Sequence, residues 1–432
     1  MFMDYSEEPR GVFFLIDNKS FYASVECVER GLKPLETPLV VMSEAENTNG
    51  GLILAASPMA KKLFHITNVS RTRDLPNDPR LIVVPPRMNL YIHKNLKINA
   101  IFKEFVADAD LYPYSIDESI LDLTQSWKLF GKTPRETARV IQQTVLKRLG
   151  LYTTIGIGDT PVQAKIALDV YAKHDPEFID QISFETVPQL IWTIKELTDV
   201  WSIGNRTAAH LKRLGINNMD DLAHTDPYWL KQEMGVIGTQ LFALAWGVDR
   251  SKLSQRIKVK EPSLGNSQVL PRDYRRQEEI EIVLRELANQ VAARVRHHGK
   301  QAGKVSLSIG FAYAADDKRG GFSHTVKVPP TNSNSEIALT VLTLFRKYWA
   351  HQPIRNISVY CGQLSADTGQ QLNLFELPEQ QIKRDSYDRV TDAIRRKFGT
   401  TALVMASSLL KGGTMIDRAS LVGGHNGGNS YE

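Results

Sequence analysis

The pattern of apolar and polar positions predicts that the chain folds as several units of different type. Five consecutive bulky apolar residues at 12–16 predict a buried strand, and Asp17 follows where that strand would meet solvent. Strand and helix patterns alternate up to residue 175, which predicts a mixed sheet covered by helices. The pattern then becomes helical, and one predicted helix ends at Gly215, a residue type that favours the backbone conformation found just past helix ends.

The pattern of apolar and polar positions also predicts that residues 263–365 form a separate unit. An apolar stripe at helical spacing precedes a strictly alternating segment, and the flanking patterns give the order strand, helix, strand, strand, helix, strand. This order predicts a split βαβ fold. The helical stripe comprises Ile280, Val283, Leu284, Leu287, Val291 and Val295, and the alternating segment comprises Val305, Leu307, Ile309, Phe311 and Tyr313.

Composition agrees with a large protein of several domains. The chain has 432 residues, 42% of them hydrophobic, which is enough for more than one core. Its start is acidic where a signal peptide would be basic, and it has no long apolar run, so we expect a cytoplasmic protein without a membrane segment. Cys27 and Cys361 lack metal-ligand spacing and fit a reducing compartment.

Positive charge is concentrated in one part of the chain. The formal net charge is +5, yet residues 251–330 carry 15 Lys and Arg against 8 Asp and Glu. A localised surplus suits a module that lies along a phosphate backbone, whereas the alternative is an ordinary solvated charged face. The first part of this region, 251–262, is polar without apolar periodicity and predicts a linker.

Two short acidic segments a hundred residues apart predict one split metal site. Asp17 follows the first predicted strand, while Asp117 and Glu118 stand among β-favouring residues, where both carboxylates can reach a common cation. Three hard oxygen ligands suit Mg²⁺, and two such ions about 3.5–4 Å apart support phosphoryl transfer. Taken separately, each segment also fits a solvated turn or a strand cap.

The residues around these acids resemble a known family. Two strings carry the resemblance, DNKSFY at 17–22 and SIDESI at 115–120, and they are similar to motifs of the Y-family translesion DNA polymerases, most closely the UmuC-like branch. The same order of motifs continues along nearly the whole chain. The resemblance implies an α+β multidomain protein shaped as a right hand. The implied domains are a palm at 1–22 and 81–175, fingers at 23–80, a thumb with a helix-hairpin-helix at 176–250, a linker at 251–262, a little finger at 263–365, and a C-terminal extension at 366–432.

The resemblance also implies the roles of the acidic residues and their neighbour. Asp17 and Asp117 would be ligands of two Mg²⁺ ions, and Glu118 would be the third catalytic carboxylate. Asn18 would contribute its backbone carbonyl to the metal site.

The resemblance implies nucleotide contacts as well. Tyr22 would be the steric gate, a ring that packs where a ribose 2′-hydroxyl would lie; the alternative is a buried core tyrosine. Lys165 would contact the incoming triphosphate, although a lysine among Ala and Ile on a helix also fits a surface residue. Lys61 stands where many relatives carry an arginine, Pro58 where many carry a tyrosine, and Lys19 replaces an acid often found there. A lysine at position 61 makes a phosphate contact less directional.

Expected DNA contacts come from the thumb and the little finger. Gly204 lies in a turn before a helix and resembles the helix-hairpin-helix, which offers backbone N–H groups to a phosphate. A second copy at 234–238 fits ordinary helix packing equally well. In the little finger, Lys304 would lie on the open face of the sheet, and Arg272 and Arg275 are further candidates.

An apolar island in the C-terminal extension predicts a partner. Gln371, Leu372, Leu374 and Phe375 stand in polar surroundings and resemble the sliding-clamp-binding peptide of bacterial polymerases; the alternative is a strand packed on the little finger. An amphipathic stretch follows from Glu379, and we expect the last ten residues to be a flexible, disordered tail.

These expectations combine into one function and two rivals. The resemblance implies a template-directed DNA polymerase of low fidelity that inserts deoxynucleotides opposite damaged bases, as in translesion synthesis and SOS-type mutagenesis. Its partners would be primer-template DNA, deoxynucleoside triphosphates, the bacterial sliding clamp, and an accessory subunit or recombinase filament. The rivals are a catalytically weak, clamp-tethered DNA-binding scaffold and a palm-like enzyme that acts on free nucleotides, such as a cyclase.

Overall fold

The computed structural model describes residues 4–43, 51–68, 70–255, 259–312, 320–369 and 377–427. Within these ranges, no helix is both long enough and apolar enough to cross a bilayer. The strands are β1 Phe13–Asn18, β2 Leu39–Ser43, β3 Leu52–Ala56, β4 Ile82–Val84, β5 Leu111–Pro113, β6 Glu118–Asp122, β7 Thr153–Gly158, β8 Ile179–Ile182, β9 Leu264–Tyr274, β10 Lys300–Phe311, β11 Gly321–Thr331, β12 Ile354–Ala366, β13 Leu421–Val422 and β14 His425–Asn426. The α-helices are α1 Phe21–Glu29, α2 Pro58–Phe64, α3 Met88–Phe102, α4 Pro134–Leu149, α5 Pro161–Ile166, α6 Val187–Leu190, α7 Asn205–Arg213, α8 Met219–Ala223, α9 Pro227–Met234, α10 Val236–Ala245, α11 Gln277–His297, α12 Asn334–Tyr348, α13 Pro378–Phe398 and α14 Met415–Arg418.

The segment predicted as the palm forms a five-stranded sheet in the order β5-β6-β1-β7-β8. The strand β1 is central because its residues 13–16 are apolar and lie in or against buried cores, and it pairs antiparallel with both β6 and β7. The outermost strand, β8, pairs parallel with β7. It lies beyond the predicted end of the palm at residue 175, so that boundary is too early and the sheet continues to Ile182.

The segment predicted as fingers contains a second, three-stranded sheet in the order β3-β2-β4. Its strand β4 pairs parallel with β2. This strand lies after residue 80, the predicted end of the fingers. At the other end, helix α1 packs in a core that both sheets share: Val25 and Cys27 are fully buried in it together with Phe14 of β1 and Val41 of β2. The three-stranded sheet itself continues past the predicted boundary at residue 80, to Val84.

The segment predicted as the thumb is helical, and its apolar core is continuous with Val162 and Ile166 of α5 and with Ile182 of β8. Helix α7 is followed by Gly215 with a φ of 86°, a left-handed conformation that ends the helix. The second hairpin also has a left-handed glycine, Gly235, with a φ of 63° between α9 and α10.

The little finger has the predicted order of elements. Its strands lie in the order β11-β10-β12-β9, so that β12 separates the parallel pair β9 and β10 and the split βαβ fold is confirmed. The whole predicted stripe of α11 is fully buried in one core with Val305 and Leu307 of β10. Lys304 and Ser306 alternate with these core residues and therefore lie on the opposite face of the sheet.

The C-terminal extension packs on the little finger and reaches the palm. Arg296 of α11 is almost fully buried and pairs with Asp392 of α13 at 2.7 Å. Farther along, Val422 packs against the palm core, and the carbonyl of Gly427 accepts a hydrogen bond from the backbone N–H of Asn89 at 2.9 Å. The prediction of disorder is thus wrong for 423–427, where the β13-β14 hairpin and this contact order the chain. The predicted clamp-binding residues 371–375 lie outside the described ranges.

Candidate active site

The sheet order brings the two acidic segments together. Because β1 lies between β6 and β7, Asp17 is directly opposite Glu118 on one side and Thr154 on the other. Asp117 immediately precedes β6, and its backbone carbonyl accepts hydrogen bonds from both the backbone and the side-chain N–H groups of Asn18, at 2.9 and 3.0 Å. The predicted split acidic site is therefore assembled by strand pairing alone.

The carboxylate of Asp117 is oriented by a serine of its own turn. The hydroxyl of Ser115 donates to Asp117 Oδ1 at 2.7 Å and accepts the backbone N–H of Glu118 at 2.9 Å. A side chain that bonds back to its own turn in this way fixes the direction in which the acid points. The second oxygen of Asp117 remains available to a ligand.

Asp17 and Asp117, but not Glu118, line a cleft of about 820 Å³ between the segments predicted as palm and fingers. The cleft contains five of the residues predicted from sequence, and Lys19, Lys173 and Thr154 line it as well. Helix α1 starts at this cleft after Ser20, so its first N–H groups and its positive dipole end lie beside the acids. The five predicted residues are Asp17, Asn18, Tyr22, Lys61 and Asp117.

Burial changes the protonation of the central acid. Burial raises the pKa of Asp17 to about 6; the nearby charges of Asp117 and Glu118 add to the rise, and Lys173 opposes it. The Lys173 ammonium lies 3.6 Å from Asp17 Oδ2. A buried acid whose charge is opposed by two neighbouring carboxylates forms a site that a cation would stabilise.

Lys165 contacts one of the predicted catalytic acids. Its ammonium donates to Glu118 Oε1 at 2.7 Å and lies 3.1 Å from Asp169, and its side chain is only 8% exposed. It borders a neighbouring cavity that the linker after the thumb also lines, instead of the cleft itself. A triphosphate contact for Lys165 stays a prediction, and the contact that the structure shows is to Glu118.

Lys173 is the cleft residue that sequence reasoning missed. It follows a π-helical segment, Ala167–Ala172, and its ammonium is shared between Asp17 and Asp169. A π-helical turn adds a residue to the helix and so redirects the side chains that follow it. Helical periodicity counted from Lys165 therefore cannot place Lys173, although the short spacing of Lys165, Asp169 and Lys173 indicates a charged cluster.

Two glycines let this helix approach the palm sheet closely. A Cβ on Gly156 would lie 2.1 Å from the carbonyl oxygen of Ala164, and a Cβ on Gly158 would lie 2.3 Å from the Ala164 nitrogen. Backbone atoms cannot move aside as a flexible side chain would, so any larger residue would push α5 away from β7. The glycines thereby set the depth at which Lys165 and Lys173 reach the acids.

Tyr22 stands in the cleft on a rigid support. Its ring stacks on Tyr91 of α3, with ring centres 4.3 Å apart and an angle of 14° between the planes. The Tyr91 hydroxyl donates to the fully buried Glu26 at 2.8 Å, and Arg87 makes two more bonds to that carboxylate. Tyr22 is half-buried, so it is neither the core tyrosine of the alternative reading nor a mobile surface ring.

The donor set is consistent with a divalent cation. Among the residues that the structure describes, no three His, Cys, Asp or Glu side chains already stand close enough together to hold an ion. Two of the acids are instead paired with lysines: Lys165 contacts Glu118, and Lys173 contacts Asp17. The Oδ1 of Asn18 and the hydroxyl of Thr154 are buried without a hydrogen-bond partner. Carboxylates and neutral oxygens of this kind are the donors that Mg²⁺ prefers.

Family profiles and individual relatives place the sequence in the same group of proteins. The profile of the impB/mucB/samB family matches residues 16–169, and the profile of that family's C-terminal domain matches residues 261–374. The chain is 38% identical to the putative UV-damage repair protein UvrX of Bacillus subtilis strain 168, over 98% of this chain and 99% of that protein. The chain belongs to the Y family of DNA polymerases, in its UmuC-like branch. DNA polymerase IV 2 of the same organism is 37% identical to this polymerase over 96% of the chain and 98% of the relative.

A solved structure agrees on the fold. A Y-family DNA polymerase chimera of Dbh and Dpo4 matches this polymerase with a TM-score of 0.65, at 22% sequence identity, over 82% of this chain and 99% of that chain. The predicted α+β multidomain fold is thus confirmed.

The predicted DNA contacts of this polymerase lie on both of its outer modules. Gly204 is the N-cap residue of α7, and a Cβ there would meet nothing within 4 Å, so its backbone is open to a ligand. Arg272 pairs with Glu279 at 2.7 Å and covers the ring of Tyr274. Lys304 lies 3.5 Å from Glu261, and Arg275 forms no ion pair within the described ranges.

Proposed function

We propose that this polymerase inserts deoxynucleotides opposite damaged template bases with low fidelity, in translesion synthesis that belongs to DNA repair and SOS-type mutagenesis. The observation that carries the proposal is the convergence of Asp17, Asp117 and Glu118 at strand ends beside a cleft that also holds Tyr22 and Lys61. Acids for nucleotidyl transfer, a gate for the sugar and a cation for phosphate meet in one place. A scaffold with structural acids would not need that combination.

Asp17, Asp117 and Glu118 would hold two Mg²⁺ ions, with the backbone carbonyl of Asn18 as a further ligand. The ions, when bound, neutralise the negative charge on the transferring phosphate and activate the attacking hydroxyl. The chain itself orients the acids: Ser115 fixes Asp117, and Lys165 holds Glu118 at the edge of the site. Lys173 keeps Asp17 paired while the site awaits its ligand.

Nucleotide selection would depend on the two sides of the cleft. The Tyr22 ring, supported by Tyr91, would collide with a ribose 2′-hydroxyl and so favour deoxynucleotides. Lys61, in the last turn of the short fingers helix α2, would meet the triphosphate. Lys173, which pairs with Asp17 and lines the cleft, would be a further cationic donor to a phosphate.

DNA would be held by the thumb and the little finger. The backbone N–H groups after Gly204 would bind a phosphate, and Lys304, Arg272 and Arg275 would contact the sugar-phosphate backbone from the little finger. Residues 371–375 would bind the sliding clamp, and an accessory subunit or recombinase filament would be a further partner. A cytoplasmic location fits these partners.

Primer extension with Mg²⁺ on undamaged and abasic templates tests the proposal. Wild type is compared with Asp117→Ala/Glu118→Ala, and DNA binding is measured for both. We expect the wild type to extend both templates, and the double variant to bind primer-template without extending it. If neither protein extends a primer while both bind DNA equally, with the clamp supplied, the scaffold is the better account.

A further inference from the structure

Among the residues that the structure describes, three of the four lysines that line the cleft form no ion pair with a carboxylate: Lys19, Lys61 and Lys62. Lys19 follows the palm strand β1, and Lys61 belongs to the fingers helix α2, so they stand on the two walls of the same cleft. In the part of the chain that the structure describes, neither forms an ion pair with a carboxylate. The nearest acid, Asp17, is instead paired with Lys173. Within the described ranges, the cleft thus holds cationic side chains that no carboxylate pairs with.

Lys19 is held in place by its surroundings. Its backbone N–H donates to the carbonyl of Tyr152 at 2.9 Å, and its ammonium lies 4.1 Å from the centre of the Phe178 ring. Phe178 has a φ of 57°, and its carbonyl accepts from the backbone N–H of Ile155 in the palm sheet at 2.9 Å, so its backbone is held beside the sheet. An ammonium on an aromatic face forms no ion pair with the ring and still has N–H donors for other acceptors.

The positive charges that line the cleft favour a ligand with several negative charges. Four lysines line it, Lys19, Lys61, Lys62 and Lys173, against the two acids Asp17 and Asp117. The same wall carries the start of helix α1, whose N–H groups also attract an anion. A single carboxylate or phosphate would leave most of these donors unused, whereas a chain of phosphates would reach from the palm wall to the fingers wall.

We propose that Lys19 binds the triphosphate of the incoming nucleotide, and afterwards the pyrophosphate, from the palm side, opposite Lys61. The inference rests on the proposed function. It gives a role in nucleotide binding to Lys19, which stands where many relatives carry an acid. Pro58 and Lys61 offer fewer phosphate donors on the fingers wall than a tyrosine and an arginine would. Lys19 supplies a compensating donor on the wall that strand β1 keeps fixed.

Steady-state insertion kinetics test the assignment with Lys19→Met, Lys19→Arg and a control, Lys97→Met, which changes an exposed lysine of α3 outside the cleft. A lost charge-assisted contact predicts a rise of about tenfold in KM for the nucleotide in Lys19→Met. Inhibition by pyrophosphate should weaken by the same factor, while kcat changes little. Lys19→Arg should stay near wild type, and Lys97→Met should equal it.

Two outcomes would overturn the assignment. Either KM and pyrophosphate inhibition are unchanged in Lys19→Met, or kcat falls while KM does not, which would place the effect on Asp17 instead. Calorimetric binding of inorganic tripolyphosphate with Mg²⁺ separates this inference from the proposed function, because it needs no catalysis. If wild type extends no primer, the proposed function fails, and weaker tripolyphosphate binding by Lys19→Met still decides the role of Lys19.

Discussion

The support beneath Tyr22 depends on one buried acid, Glu26, and its removal should be costly. Glu26 is fully buried in α1, and its carboxylate accepts two hydrogen bonds from Arg87 at 3.0 and 2.7 Å, one from Tyr91 at 2.8 Å, and one from Arg30. Glu26→Ala would remove all of them at once. It would also leave the hydroxyl of the fully buried Tyr91 without an acceptor.

The size of the effect follows from which partners can reach water. An orphaned buried hydroxyl costs about 1–3 kcal/mol. Breaking a buried ion pair costs about 3–5 kcal/mol, but the side chains of Arg30 and Arg87 are 34% and 40% exposed and regain part of their hydration. We therefore expect Glu26→Ala to lower the free energy of unfolding by about 3 kcal/mol, and Tyr91→Phe by about 1.5 kcal/mol.

Urea unfolding followed by circular dichroism measures this difference, and hydrogen exchange of peptides from α1 and α3 locates it. Glu29→Ala is the matched control, because Glu29 also joins α1 to α3, through Lys94 at 2.7 Å, but is 33% exposed. That pair should contribute no more than about 1 kcal/mol. If Glu26→Ala costs no more than Glu29→Ala, the reasoning about the Glu26 network is wrong.

The same network has a pH signature. Burial alone would raise the pKa of Glu26, but the bonds from Arg87, Tyr91 and Arg30 hold it below the ordinary value of 4.5. A depressed pKa means that the stabilisation is present above the unfolded value and is lost as pH falls through the folded value. The penalty of Glu26→Ala should therefore shrink below about pH 4.

Three further predictions concern the metal, the gate and the tail. Since burial raises the pKa of Asp17 to about 6, and Mg²⁺ binds the carboxylate form, the half-saturating Mg²⁺ concentration for primer extension should rise about tenfold per pH unit below 6; a constant value from pH 7.5 to 5.5 would contradict this. Tyr22→Ala should reduce discrimination against ribonucleotides about a hundredfold, measured as the ratio of kcat/KM values, and an unchanged ratio would remove the gate role. Val422→Asp should destabilise the contact between the C-terminal hairpin and the palm by about 1–3 kcal/mol and speed hydrogen exchange in both; equal effects from Leu410→Asp, at an exposed site of the same extension, would show that the contact is not responsible.

Much of the fold follows from local pattern. The stripe of α11 and the alternation of β10 determine the little finger, because each pattern admits one buried face, and Gly215 ends α7 as its conformational freedom predicts. The domain boundaries were harder. Strands β4 and β8 are short, and each joins a sheet through parallel pairing with a strand distant in sequence, which no local pattern records.

Some residues of the candidate site could be predicted from local pattern, and others could not. The positions of Asp17, Asp117 and Glu118 could be predicted because each acid lies at or beside the end of a recognisable strand. Lys173 could not, since a π-helical segment redirects it, and the contact of Lys165 with Glu118 depends on close packing at Gly156 and Gly158. The order of residues 423–427 depends on contacts with α3, over three hundred residues away in sequence.

The central claim is that Asp117 and Glu118 perform nucleotidyl transfer, and single-turnover insertion of one deoxynucleotide tests it most directly. The isosteric variants Asp117→Asn and Glu118→Gln are compared with wild type. The control is Asp108→Asn, which changes an exposed acid that precedes strand β5. We predict that each site variant loses about a thousandfold in insertion rate with an unchanged Kd for primer-template, while Asp108→Asn matches wild type. Insertion by both site variants at the wild-type rate would contradict the account.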